Sequence, residues 1–374
     1  MDRIWVTLIT GFLGSGKTTL LNTLLHHPAM SQAAVIVNEF GEIGIDYDLV
    51  EQSNEQVVQL ANGCLCCSVK GDLIDTFRDL YIQRNAGTIP HFDRVVIETT
   101  GIADPMPVLQ IVFTNPMVMN HYALDGVVTT VDAVNGLSSL QRFPECVKQA
   151  AIADRLIVTK VDLVEGGKSG ETVAAVRDRL RALNPAAPIV ETATEEIDPE
   201  DLFGTGMFDA ASKQIDLKSW IDPALYDEAA TEPAAAAEPD EAARAYYQEH
   251  GHTPEQGHAH GGVNSFCITR DEPMSLDMLR MFLEGLTREA GPDLLRVKGI
   301  VNVAGEPDRP AVIQGAQLIF HSLDWLPEWP GEDRRTRIVF ITHGLDKSYI
   351  EDTLELIERV AKRTEQATAD ALIR

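Results

Sequence analysis

The stretch TLITGFLGSGKTTLLNTLL, residues 7–25, limits the fold of this chain more than any other. It joins an aliphatic run to a run with helical spacing through Gly11-x-x-x-x-Gly16-Lys17-Thr18, a full match to the Walker A pattern. Gly11, Gly14 and Gly16, with Ser15 between the last two, let backbone N–H groups turn inward around phosphate oxygens. The helix that follows aims its N-terminal dipole at the same place. Lys17 can reach the β- and γ-phosphates of a nucleotide, the Thr18 hydroxyl can bind Mg²⁺, and Thr19 continues the helix start. A loop of this kind works between a strand and a helix, so it predicts an α/β domain.

The surrounding pattern agrees. Short β-rich runs at 4–10, 33–39, 56–60, 94–98, 126–131, 155–159 and 188–191 alternate with helical spacing, as at 17–26 and 72–84. Several runs are nearly all Val, Ile or Leu, as strands buried on both faces should be. The alternation predicts a mostly parallel central sheet with flanking helices over residues 1–221.

From 222 to 262 the composition shifts to Ala, Glu, Asp, Pro and Gly, with almost no large aliphatic residue. Such a segment buries too little apolar surface to offset chain entropy, and is expected to be a flexible linker. Order returns over 263–374. A strand at 263–270 leads to a helix capped by Ser275, with Leu276, Leu279, Phe282, Leu283 and Leu286 on one face. Strands are expected at 295–303, 311–321 and 337–342. A closing helix at 347–363 should turn Ile350, Leu354, Ile357 and Val360 to one side. The pattern predicts a small α+β C-terminal domain with helices on one face of a mostly antiparallel sheet.

Two further strand ends carry chemistry. DRVVIETTG ends an apolar run at Glu98 and continues to Gly101. A carboxylate there can hold Mg²⁺ directly or through water, and Gly101 can offer a backbone N–H to a γ-phosphate and change position on hydrolysis. Glu98 stands where this pattern more often has Asp. RLIVTKVDL ends in Thr159-Lys160-Val161-Asp162, the guanine pattern of Asn or Thr followed by Lys-x-Asp. Asp162 would accept from the guanine ring N–H and exocyclic amine, a pairing that adenine cannot offer. The Lys160 stem would lie along the purine. GTP is therefore favoured over ATP, which speaks against a P-loop kinase.

ANGCLCCSVKGDL packs Cys64, Cys66 and Cys67 into four positions. A nucleophilic thiol needs one cysteine with a base, not three together. A bridge between neighbouring Cys66 and Cys67 would be strained. Three thiolates on a turn introduced by Asn62-Gly63 can converge on one thiophilic ion, so metal binding is favoured over redox and packing roles. Glu39 and Glu42 in VNEFGEIGID follow the second strand and are candidates for a missing ligand; Glu39 could instead position the attacking water. In an open parallel sheet these loops converge on one rim. Cys146 and Cys267 stand alone and read as packing residues.

A formal net charge of −26 argues against non-specific nucleic-acid binding and against docking to an anionic membrane. No apolar run reaches the roughly 18 residues of a membrane span, and the N-terminal residues do not read as a signal peptide. A cytoplasmic location is the expectation.

Taken in order, GFLGSGKTTLLN, VNEFGEIGID, ANGCLCCSVKGDL, ETTGIADP, TKVD and a His-bearing segment before a C-terminal β/α unit resemble the CobW-type metallochaperones, a family of P-loop GTPases. The resemblance covers essentially the whole chain. It implies a GTPase domain, a CobW C-terminal domain, slow GTP hydrolysis with Mg²⁺, and delivery of Zn²⁺ or Co²⁺ to a client metalloprotein. Carried over by motif, Lys17 and Thr18 match nucleotide and Mg²⁺ binding, Cys64, Cys66 and Cys67 the metal motif, and Glu39 the acid near the γ-phosphate and metal. His250, His252, His258 and His260 fit a His-rich region, or a plain polar linker. The alternative function is a metal-buffering or sensing protein in which nucleotide binds without productive turnover. A homodimer stays open.

Overall fold

A computed structural model describes residues 3–38, 57–59, 65–68, 73–164, 169–192, 197–199, 202–203, 220–227, 262–316, 319–320 and 323–372. The chain divides into two compact units, each treated by itself.

In the first unit the strands are β1 (Ile4–Gly11), β2 (Ala33–Asn38), β3 (Val57–Gln59), β4 (Leu65–Ser68), β5 (Arg94–Thr99), β6 (Tyr122–Asp132), β7 (Arg155–Thr159) and β8 (Ile189–Glu191). They form one sheet in the order β3-β4-β2-β5-β1-β6-β7-β8. β3 runs antiparallel to β4; every other neighbouring pair is parallel. The helices are α1 (Lys17–Leu25), α2 (Leu73–Ala86), α3 (Met106–Thr114), α4 (Pro116–His121), α5 (Gly136–Arg142), α6 (Pro144–Ile152) and α7 (Ser169–Leu183).

The aliphatic strands behave as their composition predicts: all eleven residues of β6 are buried. On α1, Leu20, Leu21, Leu24 and Leu25 pack on Ile9, Val35, Val96 and Val128 from four different strands. Each such leucine contributes about 1.5–3 kcal/mol by leaving water. That burial, rather than helix propensity, fixes the phosphate loop over the sheet. Because the inner strands are parallel, the loops after β1, β5, β6 and β7 emerge at one edge.

Two strands depart from expectation. β4 takes in Cys66 and Cys67, where a turn was expected; four residues are too few to show a period, and pairing with β2 decides the matter. β6 begins four residues early, at Tyr122, and runs through Asp125-Gly126. Asp125 is tolerated inside a buried strand because Arg94 Nη1 donates to it at 2.5 Å and Thr7 Oγ1 at 3.3 Å.

The second unit holds β9 (Val263–Arg270), β10 (Leu294–Val301), β11 (Ala311–Ala316), β12 (Ile319–Phe320), β13 (Asp324–Trp325) and β14 (Thr336–His343). The order is β12-β11-β10-β14-β9, with β13 also on β11, and all pairings are antiparallel. The single strand expected at 311–321 is two, β11 and β12, paired with each other. Among the described residues this unit has the α-helices α8 (Ala224–Asp227), α9 (Leu276–Ala290) and α10 (Lys347–Leu372). Ser275 Oγ caps α9 by accepting from Met278 N at 3.2 Å. Leu279, Phe282 and Leu286 of α9 share a core with Phe266, Val297, Ile338 and Phe340 of the sheet. α10 adds Ile350, Leu354 and Ala361, with Ile357 at the edge. Val360, expected on that face, is exposed; eleven residues make three turns, so Ala361 falls above Ile350 and Val360 does not.

Residues 222–227, expected to open the linker, are instead anchored through Tyr226. Tyr226 is buried and donates its hydroxyl to Trp220 O at 2.9 Å, and the Lys298 ammonium lies 3.7 Å from the Trp220 ring centroid. Two aromatics six residues apart outweigh the Ala- and Glu-rich composition that follows them. Residues 228–261, with His250, His252, His258 and His260, lie outside the described residues.

Candidate functional site

The phosphate loop is held from beneath by β6 and β7. Ser15 Oγ and Thr130 Oγ1 are 2.6 Å apart, and Thr130 Oγ1 also reaches Thr10 O at 3.3 Å. Thr159 Oγ1 donates to Ser15 O at 2.7 Å. Gly11 is the tightest point: a Cβ there would overlap Thr130 O and Oγ1, and its φ of 143° excludes ordinary side chains. Gly16 caps α1 with a φ of 89°, so its N–H and those that follow face the loop interior. Lys17, nearly buried, folds back to donate to Phe12 O at 3.1 Å. Thr19 is exposed on the first turn of α1.

Across the loop, Thr18 Oγ1 donates to Glu98 Oε1 at 2.7 Å. Glu98, one residue before the end of β5, is fully buried, so a carboxylate and a hydroxyl converge beside a helix N-terminus. Gly101 lies against the loop itself: a Cβ on it would come within 2.7 Å of the Leu13 backbone N. The turn that contains it is closed by Ala103 N donating to Thr100 O at 3.2 Å.

Lys160 takes the left-handed conformation at φ 58°, which is uncommon for a side chain of its length and turns the ammonium back over the loop. Its Nζ donates to Gly14 O at 2.5 Å and to Asp132 Oδ2 at 2.9 Å. The stem is thereby stretched along the rim between the phosphate loop and Asp162, which is exposed at the start of a 3₁₀ turn, Val161–Leu163. Burial pushes the Asp132 carboxyl up. The hydrogen bonds from Lys160 and from the backbone N–H groups of Val134 and Asn135 outweigh it, and the net shift is downward.

Of the thiol cluster, Cys66 and Cys67 lie on β4, opposite Val35 and Ile36 of β2. The register continues across the sheet: Val37 pairs with Ser68 on one side and with Glu98 on the other. Ser68 and Glu98 are therefore level, two strand spacings or about 10 Å apart. Cys64, Glu39 and Glu42 lie outside the described residues. Cys146 and Cys267 are buried thiols outside any disulfide among the described residues. Burial holds the Cys146 thiol well above its ordinary value, so it is neutral.

Sequence reasoning singled out neither Thr130 nor Asp132 nor Gln149. Asp132 carries a usable signal, a lone carboxylate at the end of the apolar run GVVTTVD. Thr130 and Gln149 carry none, since their partners are 115 and 48 residues away.

The sequence matches the model of the CobW/HypB/UreG nucleotide-binding domain over residues 5–191 and that of the cobalamin synthesis protein cobW C-terminal domain over 263–357. Zinc chaperone YjiA of Escherichia coli is 33% identical over 341 residues, which cover 91% of this chain and 94% of that protein. Zinc chaperone CobW of Pseudomonas aeruginosa is 30% identical over 389 aligned positions, 95% of this chain and 91% of that one. The crystal structure of Zn(II)-bound YjiA GTPase from E. coli superimposes with a TM-score of 0.69 at 31% identity, covering 96% of this chain and 99% of that chain. Among the described residues no helix is long and apolar enough to cross a membrane. The loop geometry and these matches agree: the chain belongs to the CobW/HypB/UreG family of P-loop GTPases and carries the CobW C-terminal domain.

Proposed function

We propose that this protein is a GTP-hydrolysing metallochaperone that carries zinc on Cys64, Cys66 and Cys67 and passes it to a client metalloprotein under control of the GTP cycle. Zinc is favoured because the relatives YjiA and CobW are zinc chaperones and because three thiolates suit a borderline-soft ion. The observation that carries the reading is the shared level of Ser68, next to Cys67, and Glu98, beside Thr18. A metal on the thiol segment and a phosphoryl group at the loop would be near enough for one to bias the other.

Within this reading the loop N–H groups and Lys17 hold the phosphates, and the Gly101 N–H meets the terminal phosphoryl oxygens where charge develops. Lys160 and Asp162 select guanine. Glu39 either positions the attacking water or joins Glu42 in completing the zinc site. Mg²⁺ fits beside Thr18 and Glu98: both offer hard oxygen donors, and they already meet at 2.7 Å with the carboxylate withdrawn from solvent. Thr18 would hold the ion and Glu98 would steady it. When bound, Mg²⁺ neutralises charge on the phosphate oxygens.

We further propose a GTPase domain over 1–221 and a CobW-like domain over 263–374, joined by the acidic segment 222–262. The family matches over 5–191 and 263–357 support the division. The packing of Tyr226 limits any free linker to residues after 227.

The test is reciprocal titration. Zinc affinity is measured with GTP, GDP and no nucleotide, and GTP affinity with and without zinc, for wild type and Cys66→Ala. The expected outcome is a coupling factor of roughly 5–150-fold, equal in both directions and lost in the variant. Zinc affinity that ignores nucleotide would leave a metal buffer with incidental nucleotide binding.

A further inference from the structure

Helix α6 is fixed at its C-terminal end. Thr129 Oγ1 of β6 donates to Gln149 O at 2.8 Å, and the buried Asn184 amide donates to Ala150 O, Ala151 O and Ala153 O at 2.9–3.2 Å. From this frame the Gln149 side chain reaches back to the segment after β5. Its Nε2 donates to Gly101 O at 3.3 Å and to Ala103 O at 3.1 Å. The neighbouring Lys148 ammonium lies 3.7 Å from Asp104 Oδ2, and Asp104 Oδ1 accepts from Met106 N to start α3. Two consecutive residues of α6 thus reach residues 101–104, Gln149 through two backbone carbonyls and Lys148 through the Asp104 carboxylate.

The chemistry of the grip is specific. Gln149 is fully buried, its Oε1 has no hydrogen-bond partner among the described residues, and the residue lines a cavity of about 130 Å³ with Phe12, Ser15 and Cys146. Flipping the amide would set oxygen against two carbonyl oxygens, so the orientation is determined. A buried amide with one orphaned acceptor is a poor packing residue; Leu or Met would fill the space without that penalty. What an apolar residue cannot do is hold two carbonyls of a turn whose third residue is already tied back to Thr100.

We propose that Gln149 is a positioning residue for GTP hydrolysis: its two-carbonyl clip fixes the Gly101 turn, so that the Gly101 N–H is preorganised toward the terminal phosphoryl group. This rests on the assignment of Gly101 as a γ-phosphate donor. Preorganised donors on rigid elements stabilise a transition state without reorganisation at the moment of reaction. Nucleotide affinity, set by the phosphate loop and by Lys160 and Asp162, does not depend on the clip.

The test uses Gln149→Met, which keeps length and volume and removes the donors. GDP affinity, the KM for GTP and kcat per GDP-binding site are measured on the full chain. The expected result is a fall in kcat of roughly tenfold, with KM and GDP affinity within about threefold of wild type. An unchanged kcat overturns the proposal, as does a loss of GDP affinity in step with kcat, which is the mark of a merely structural residue. Gly101→Ala is run in parallel. If it turns over normally, the reading of Gly101 has failed; if it is inactive while Gln149→Met is normal, only the clip has.

Discussion

Thr18 and Glu98 are 80 residues apart in sequence, yet the Thr18 hydroxyl donates to Glu98 Oε1 at 2.7 Å and ties the first turn of α1 to the end of β5. Both oxygens are hard donors, and burial of Glu98 raises the worth of each charge interaction there. Glu98→Gln keeps the hydrogen bond and removes the charge. Turnover is expected to fall by roughly 10–100-fold, with a rise in the Mg²⁺ concentration needed for half-maximal rate and no change in base preference. Steady-state rates across a Mg²⁺ series check this; a wild-type rate at saturating Mg²⁺ would remove Glu98 from the reaction.

Base selection is assigned to the Lys160–Asp162 turn. Lys160 is held by Gly14 O and Asp132, so a substitution two residues on should not disturb the phosphate loop. Asp162→Asn is expected to lower the ratio of GDP to ADP affinity by tenfold or more, chiefly through weaker GDP binding. Direct titration of both diphosphates decides it. Undiminished selectivity would send the search for the guanine reader to another loop.

The loop also makes a stability claim. Gly11 has φ 143°, and a Cβ would overlap Thr130 O and Oγ1 and lie 2.7 Å from Ser15 Oγ. Two of these atoms belong to a buried strand and cannot retreat. Gly11→Ala should destabilise the chain by about 2 kcal/mol or more. Denaturant unfolding of both proteins without nucleotide measures it. An unchanged midpoint would mean that the loop relaxes freely, and that its shape is not set by β6.

What the sequence disclosed and what it hid divide along contact range. The phosphate loop was legible because its glycines, Lys17 and Thr18 lie in one eight-residue span with a strand before and a helix after. The aliphatic strands were legible because parallel strands are apolar on both faces. β4 was not, because CLCC looks like a ligand motif, and Leu65–Ser68 owe their strand conformation to pairing with β2 and β3. Asp125 fell outside the strand expected at 126–131, since the Arg94 that neutralises it is 31 residues away. In the second unit, Leu279 and Phe282 announced a helix face by spacing alone, whereas the division into β11 and β12 passed unseen within one apolar run.

The second unit carries a pH dependence of definite sign. Glu358 of α10 accepts from Arg270 of β9 at 2.8 Å and lies 2.7 Å from the Lys362 ammonium. The Arg270 hydrogen bond first, and the Lys362 one after it, lower its pKa from 4.5 to about 2. A carboxylate depressed in the folded state adds stability that is fully present above its unfolded value and is lost as pH falls through the folded one. The window is therefore about pH 4.5 down to about 2. Solvent screening near the helix surface reduces the effect to about 1 kcal/mol, well under what the shift alone would give. Glu358→Gln should accordingly be about 1 kcal/mol less stable than wild type at pH 7. That difference should stay flat down to about pH 5, then shrink on further acidification, and it should also shrink in high salt. Denaturant unfolding from pH 7 to pH 3 follows it. A difference that holds constant across that range would trace the loss to packing of the side chain and not to its charge.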